Sequence, residues 1–480
     1  MHRQLSEVVA RSHRWQSTER PATRLLIGFS LLLAVVAATT EAFSARPTCN
    51  PDEVRTAERT QVRMSQASNQ FGLDLYQQII SKEGPNQNVF FSPYSVSTAL
   101  MMAASGAVDE TADEMRRVMR LPNDHFDVNA AMAALSNNLM STRECDLNIA
   151  NAIWADTSFD IRPPFAAILN RHFGTGGPFS VDFRHQSESV RQEINSWVED
   201  RTNRRIRDLL SKGSVSPATR MVLVNAIYFR GDWSVQFDRS LTKPRPFLLA
   251  DGTKIDVPTM SIRSHGEARY AAFHSDGSFF ETPRMIPMSR RSPNGEPEEV
   301  QFYPADGFSM AELPYEGNTL SMVLIAPSQI DSLNRIESML TEENLTSWVS
   351  RLVKRPTNID LPKLKLETGY TLAQGGLSAS GMLPSMGIKR VFTAGQSQLD
   401  AMTSEEIHFD TVVHKAFLEV DEKGTEAAAA TAFVGVGPTS VQSKRPFTPT
   451  FKADRPFLMI IRDRKSGCVL FMGRIQNPMQ

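Results

Sequence analysis

One segment near the C-terminus constrains this chain more than any other: Glu422-Lys-Gly-Thr-Glu-Ala-Ala-Ala-Ala-Thr-Ala-Phe433. It follows an apolar run over 412–420 that reads as a buried strand. The segment itself has little bulk to bury. Alanine is a good helix former, so a short helix is one reading. The segment runs on, however, into Val434-Gly-Val-Gly-Pro-Thr-Ser440 and then Pro446 and Pro449. Gly and Pro at that density favour an exposed loop. If the segment became a strand inside a sheet, alternate side chains would face inward. Thr425, Ala427, Ala429 and Thr431 form one such set, all small and uncharged, so none would bury an unpaired ion. Glu426 belongs to the other set, with Ala428 and Ala430, and could stay in solvent. Gly424 supplies a permissive hinge. Two readings stay open on composition: a plain Ala-rich loop, or a strand held in reserve.

The rest of the chain can build a sheet to receive such a strand. With 480 residues and 41% hydrophobic content it has ample material for a core. Length alone suggests roughly two to four domains. Helical spacing of apolar residues occurs over 67–81, over 95–119 as a helix, a turn and a second helix, and over 190–210. Ser95 or Thr98 is the expected cap of the first helix in 95–119, and Thr111 precedes the acidic start of the next. Strand-like runs follow at 221–229, 320–326, 412–420 and 457–461, and 468–472 closes a hairpin. Helices early and strands late argue for an α+β fold. The stretch 265–306 is polar and Pro/Gly-rich and reads as a surface insertion. The stretch 374–380 reads as a loose loop.

At the N-terminus, Arg20 and Arg24 precede an apolar run over 25–38, followed by small and polar residues to Ala42. This is the pattern of a cleaved signal peptide over 1–42, with a signal anchor as the competing reading. Residues 43–66 are expected to be an N-terminal tail, loose over the polar, Pro-containing stretch 44–53. Cys49, Cys145 and Cys468 leave at least one thiol unpaired in an exported chain. A Cys49–Cys145 bridge and three isolated thiols are equally open readings.

Enzyme chemistry finds little support. The sequence has no G-x-S-x-G elbow, H-E-x-x-H or C-x-x-C, and Gly174-Thr-Gly-Gly177 lacks the Lys-Ser/Thr of a phosphate loop. Lys plus Arg (52) balances Asp plus Glu (53), so nothing calls for nucleic acid. No metal or cofactor is expected. His414, in an apolar strand, reads as a satisfied core histidine.

A set of ordered motifs makes the reading specific. Val413-His-Lys-Ala416 followed by Val420-Asp-Glu-Lys-Gly-Thr-Glu-Ala-Ala-Ala-Ala-Thr431 resembles the reactive-loop hinge of the serpin family. Asn88-Val-Phe-Phe-Ser-Pro-Tyr-Ser95, Asn225-Ala-Ile-Tyr-Phe-Arg-Gly-Asp-Trp233, Leu313-Pro-Tyr315 and Leu361-Pro-Lys-Leu364 are similar to its earlier blocks. Asp454-Arg-Pro-Phe-Leu458, Leu470-Phe-Met-Gly-Arg474 and Asn477-Pro478 are similar to its C-terminal strands. The resemblance implies a single domain over 67–480, with three sheets, about nine helices and an exposed reactive loop over 422–449.

It also implies a function: inhibition of serine proteases by a loop that is cut, forms an acyl-enzyme and then inserts into the main sheet. Glu422, Gly424, Thr425, Glu426, Ala427, Ala428, Ala429, Ala430 and Thr431 match the hinge. Thr425 enters the sheet first and carries neither bulk nor charge. Ser92, Ser95, Asn225 and His414 match a buried cluster that controls sheet opening, which recasts His414 as part of a gate. Trp233 matches the site where insertion begins, and Lys363 pairs with Glu422 at the base of the loop in a partly exposed ion pair. A non-inhibitory serpin-fold binding or carrier protein is the alternative.

Family counting from Glu422 places the scissile bond at Pro438–Thr439. The stretch from Pro438 to Phe451 exceeds the usual length by about four residues, so the register is open. Cleavage near Val436 or Val441 suits an elastase-like enzyme. Cleavage after Lys444 suits a trypsin-like one, and Arg445 is disfavoured by Pro446. The 130–147 stretch offers only Arg143 as a base, so strong heparin dependence is not expected. Asn344-Leu-Thr346 is a glycosylation sequon. A secreted monomer with no membrane attachment is expected.

Overall fold

The computed structural model describes residues 51–122, 127–141, 145–287, 304–423 and 444–480. Among them are nine α-helices: α1 (Pro51–Glu83), α2 (Pro93–Ala104), α3 (Asp109–Val118), α4 (Val128–Met140), α5 (Pro163–Phe173), α6 (Phe183–Arg201), α7 (Leu333–Ser338), α8 (Glu342–Ser350) and α9 (Met382–Met386). Local chemistry sets their ends. Ser92 caps α2 by accepting from the Ser95 amide at 3.1 Å, with Pro93 at the first helical position. Ser92 therefore takes the role expected of Ser95 or Thr98, because Pro93 can open a helix but not sit inside one. α3 begins at Asp109 after Val108, which makes no side-chain cap, so Thr111 lies inside the helix.

The strands form three main sheets and a two-stranded ribbon. The largest has the order β1 (Val89–Phe91), β19 (Val469–Ile475), β18 (Phe457–Asp463), β11 (Leu320–Pro327), β10 (Phe308–Pro314), β7 (Arg269–Phe273) and β12 (Val353–Lys354), with β8 (Phe279–Phe280) also on β7. A second has the order β17 (Thr450–Lys452), β13 (Thr357–Pro362), β6 (Lys254–His265) and β5 (Lys243–Leu248). A third has the order β14 (Leu364–Gln374), β15 (Thr411–Val420), β4 (Met221–Gly231), β2 (Cys145–Asp156) and β3 (Phe179–Val181). The ribbon pairs β16 (Lys444–Pro446) with β9 (Met285–Pro287). The fold is α+β, as the segregated pattern implies.

The two faces of the third sheet bury different cores. Leu223, Ile227, Val412, Ala416 and Leu418 join the main core with β1, β19 and α2. Val222, Val224, Ala226, Val413 and Phe417 face a second cluster under α6, with Trp154, Val190, Ile194 and Val198. Both faces are apolar, so β4 reads as one continuous hydrophobic run rather than an alternating one.

Three expectations need correction. The N-terminal tail expected over 43–66, with its loose part at 44–53, is helical from Pro51, and Met64 and Ser65 are fully buried. Met64, Ala67 and Phe71 continue the buried stripe at helical spacing, one turn earlier than the segment 67–81 suggests. The insertion expected over 265–306 is not a surface excursion at its start. His265 ends β6 and is buried, and β7 is an interior strand between β10 and β12. The five residues of β7 are too few to stand out against polar flanks. The helix expected over 190–210 runs instead from Phe183 to Arg201. It stops where Asn203 and Arg204 take positive φ, and Ile206 and Leu210 are buried in the connector that follows.

Candidate functional site

β15 and β4 run parallel, and they pair directly from Thr411↔Val222 to Leu418↔Phe229. A strand that followed β15 through a tight turn would run antiparallel to both neighbours. The seam between them is therefore the one place in this sheet where the segment after Glu422 could enter as a sixth strand, with antiparallel ladders on both sides.

Polar side chains cross the seam at one level. His414 on β15 and Asn225 on β4 are register partners, and the imidazole Nδ1–H donates to the Asn225 Oδ1. The other ring nitrogen, Nε2, accepts from the Ser92 amide at 3.1 Å, which fixes the tautomer. Burial pushes the His414 imidazole down to about 3, so it is neutral at physiological pH. The Asn225 Nδ2 donates to the Ser95 Oγ at 2.6 Å, to the Ser95 carbonyl at 3.0 Å and to the Asn151 Oδ1. The Ser92 hydroxyl donates to the Leu470 carbonyl on β19. The structure thus brings Ser92, Ser95, Asn225 and His414 into one group and adds two residues that sequence reading missed. Asn151 extends the row onto β2, opposite Asn225. Tyr370 extends it onto β14, stacked on His414 with ring centroids 6.5 Å apart and accepting from the Phe90 amide at 3.3 Å. Asn151 interrupts an apolar run, which is a visible signal, whereas Tyr370 looks like any half-buried strand aromatic.

At the loop end of the seam, Trp233 stacks on Tyr315 at 4.7 Å and donates its Nε1–H to the Asp421 carbonyl at 3.0 Å. The Phe237 amide donates to the Glu422 carbonyl at 3.0 Å. The Lys363 ammonium donates to the Glu422 Oε2 at 2.9 Å. The carboxylate is nearly buried, at 7% exposure, while Lys363 is 41% exposed, so the pair is lopsided rather than evenly exposed. Burial raises the Glu422 carboxyl, but the Lys363 hydrogen bond and neighbouring donors outweigh it, and the net shift is downward. Residues 421–423 are thus held at the point where the loop leaves the sheet.

A strap covers the outer face of the seam. Asn195 on α6 both accepts from the Leu210 amide at 2.8 Å and donates to the Leu210 carbonyl at 2.9 Å. Between them, Lys415 donates to the Arg207 carbonyl at 2.7 Å, which ties the connector to β15.

Gly424, Thr425, Glu426, Ala427, Ala428, Ala429, Ala430, Thr431, Val436, Pro438, Thr439 and Val441 lie outside the described residues, as do Cys49 and the 1–42 leader. Lys444 opens β16, whose register on β9 is Lys444↔Pro287, Arg445↔Ile286 and Pro446↔Met285. Asn344 is half-buried in the first turn of α8, where its Nδ2 donates to the Met339 carbonyl at 2.7 Å. α4, which precedes β2, carries no Lys or Arg. Among the described residues there is no metal-binding cluster of His, Cys, Asp and Glu, and no helix long and apolar enough to cross a membrane.

Comparison with known proteins gives one consistent answer. The family model described as Serpin (serine protease inhibitor) matches residues 66–478. An uncharacterized serpin-like protein of Thermococcus kodakarensis is 33% identical, over 91% of each chain. Human leukocyte elastase inhibitor is 32% identical, over 87% of this chain and all of its own. Among solved structures, uncleaved ovalbumin superposes with a TM-score of 0.70 at 26% identity, covering 86% of this chain and 100% of that one.

Proposed function

This chain belongs to the serpin family, and from that premise we propose that it inhibits a serine protease as a single-use substrate. The observation that carries the reading is the direct parallel pairing of β15 with β4, ending where Glu422 releases the loop. Attack of the protease serine Oγ on the scissile carbonyl gives an acyl ester and frees the amine of the C-terminal leg. The freed N-terminal leg then enters the seam. It gains two antiparallel ladders where one parallel ladder stood, and it carries the ester-linked protease along.

Loop length favours a cut in the small-residue region. β15 is ten residues long, so an inserted strand beside it spans about 34 Å at ~3.4 Å per residue. Thr425 to Val434 is enough to fill it. A cut at Pro438–Thr439 leaves little slack beyond the filled slot. A cut after Lys444 adds roughly 20 Å of free chain, and the protease would not be drawn tight against the body. Val436 and Val441 fit a small apolar specificity pocket, so the preferred target is elastase-like. That relatives of this chain bear the name leukocyte elastase inhibitor supports the same direction. Export of the mature chain after Ala42, and a glycan at Asn344, are part of the proposal and rest on the sequence.

The test is incubation with elastase, chymotrypsin and trypsin, followed by denaturing electrophoresis and mass spectrometry of the released fragment. The expected result is a covalent complex of summed mass with an elastase-like enzyme, and a fragment that begins between residues 437 and 442. Loop cleavage by every enzyme without a complex, and with no gain in thermal stability, would point to a non-inhibitory binding or carrier protein.

A further inference from the structure

The segment between β7 and β10 does not stay on its own sheet; its strand β9 reaches the C-terminal leg of the reactive loop. It is tethered on the way. The Trp348 Nε1–H donates to the Gly277 carbonyl at 3.1 Å, and β8 pairs with β7 through Phe279 and Phe280. β9 then pairs antiparallel with β16. The Phe447 amide donates to the Arg284 carbonyl at 3.0 Å, which makes these two a hydrogen-bonded pair. In an antiparallel ladder such pairs alternate, so Arg445 and Ile286 form the next one. Pro287 and Pro446 fall at the intervening positions, where a missing N–H costs the ladder nothing. One side chain locks the two legs together. The Arg355 guanidinium donates to the Pro283 carbonyl at 2.9 Å and to the Phe447 carbonyl at 2.8 Å, and it lies over the Phe447 ring at 5.5 Å. The Arg355 backbone is itself held by its amide donating to the Ala268 carbonyl at 3.1 Å.

We propose that β9, latched by Arg355, pins the C-terminal leg of the loop from Lys444 onward and so withholds the Lys444–Arg445 bond from trypsin-like proteases. The inference rests on the serpin reading and adds a specificity filter to it. The Arg445 amide nitrogen is the leaving group of that bond, and the ladder commits its N–H to Ile286. A protease needs an extended, unpaired segment on both sides of the bond it cuts. Attack at Lys444 therefore requires the ribbon to open first. Arg355 acts here as a positioning residue, and the basic pair Lys444-Arg445 ceases to be bait.

The experiment is limited trypsin digestion of the full mature chain, with mass spectrometry scoring the fragment that begins at Arg445. Arg355→Ala should raise the rate of that cut about tenfold over wild type, the effect of losing one to two hydrogen bonds' worth of restraint. Cuts elsewhere should be unchanged. Ile286→Pro removes a ladder donor without touching Arg355 and should act in the same direction, which keeps the test alive if one variant fails to fold. Faster amide exchange in a peptide spanning residues 444–447 should accompany both. Equal rates of cutting after Lys444 in wild type and both variants, whether fast or slow, would overturn the proposal. Covalent complex formation with an elastase-like enzyme is scored separately, so failure of the filter and failure of the inhibitory reading are distinguishable.

Discussion

The eight-stranded and five-stranded sheets of this protein are built to opposite ends. In the eight-stranded sheet every pairing is antiparallel, and β11, β18 and β19 are buried almost without interruption. Phe471 stacks on Phe90 at 5.3 Å and packs near Phe229 at 5.7 Å. Gly473 lets β1 come so close that a Cβ there would sit 2.0 Å from the Val89 carbonyl oxygen. The five-stranded sheet has a parallel junction between β15 and β4, and polar side chains span it. Apolar packing is non-directional and has no alternative partner to exchange for. The eight-stranded sheet also has a buried polar row, where Glu312 meets Arg269, Ser321 and Arg462, so under the proposed mechanism it is the parallel junction of β15 and β4 that singles out the second sheet.

The largest expected effect breaks that difference at the loop. Thr425→Arg would require a charge to enter the seam, which costs several kcal/mol. Covalent complex with the target protease should fall on the order of 100-fold while loop cleavage persists, read as a stoichiometry of inhibition. Undiminished trapping would remove insertion from the mechanism.

Next comes the permanent sheet. Phe471→Ala should lower stability in urea by about 3–5 kcal/mol through the cavity it leaves, with no selective gain in loop insertion. A smaller change is expected at the seam. Asn225→Ala leaves the His414 Nδ1–H unsatisfied and should cost about 2 kcal/mol. Unlike Phe471→Ala, it should also speed loss of monomer on mild heating, measured by size-exclusion chromatography. If the two variants aggregate alike at matched stability, the polar row has no special part in opening.

The smallest effect sharpens the comparison by pH. Unfolding returns His414 to its ordinary pKa near 6.5, while the folded value is about 3. The unfolded chain binds the extra proton between these values, so stability falls as pH drops below about 6.5. The slope from this one group is about 1.4 kcal/mol per pH unit. His265, buried and held at about 4, adds to the same trend. His414→Gln should reduce the acid slope of the urea midpoint by about one proton's worth, and an unchanged slope would contradict a buried neutral imidazole.

Much of this was legible in the chain. The strands at 221–229, 320–326, 412–420 and 457–461 stand within two residues of the observed ones, because continuous runs of Val, Ile, Leu and Phe leave few alternatives. Ser92, Ser95, Asn225 and His414 could be picked out by motif, and they do meet. β7 was hidden because five residues inside a polar stretch carry too little periodic signal, and its strand character comes from β10 and β12 on either side. Tyr370 and Arg355 were hidden for another reason: neither stands in a motif, and each acquires its role from a backbone carbonyl or amide far away in sequence.

The sequence by itself determined that a small, uncharged, Gly-hinged segment follows a buried strand, because composition alone limits what that segment can bury. Which two strands would receive it was decided only by the tertiary structure. The parallel neighbour of β15 is β4, about 190 residues earlier, and no local pattern encodes a pairing over that distance. The far end of the loop follows the same rule. Lys444-Arg445 reads in sequence as an exposed basic pair, and only its pairing with β9, from a segment about 160 residues earlier, turns it into the anchor of the loop.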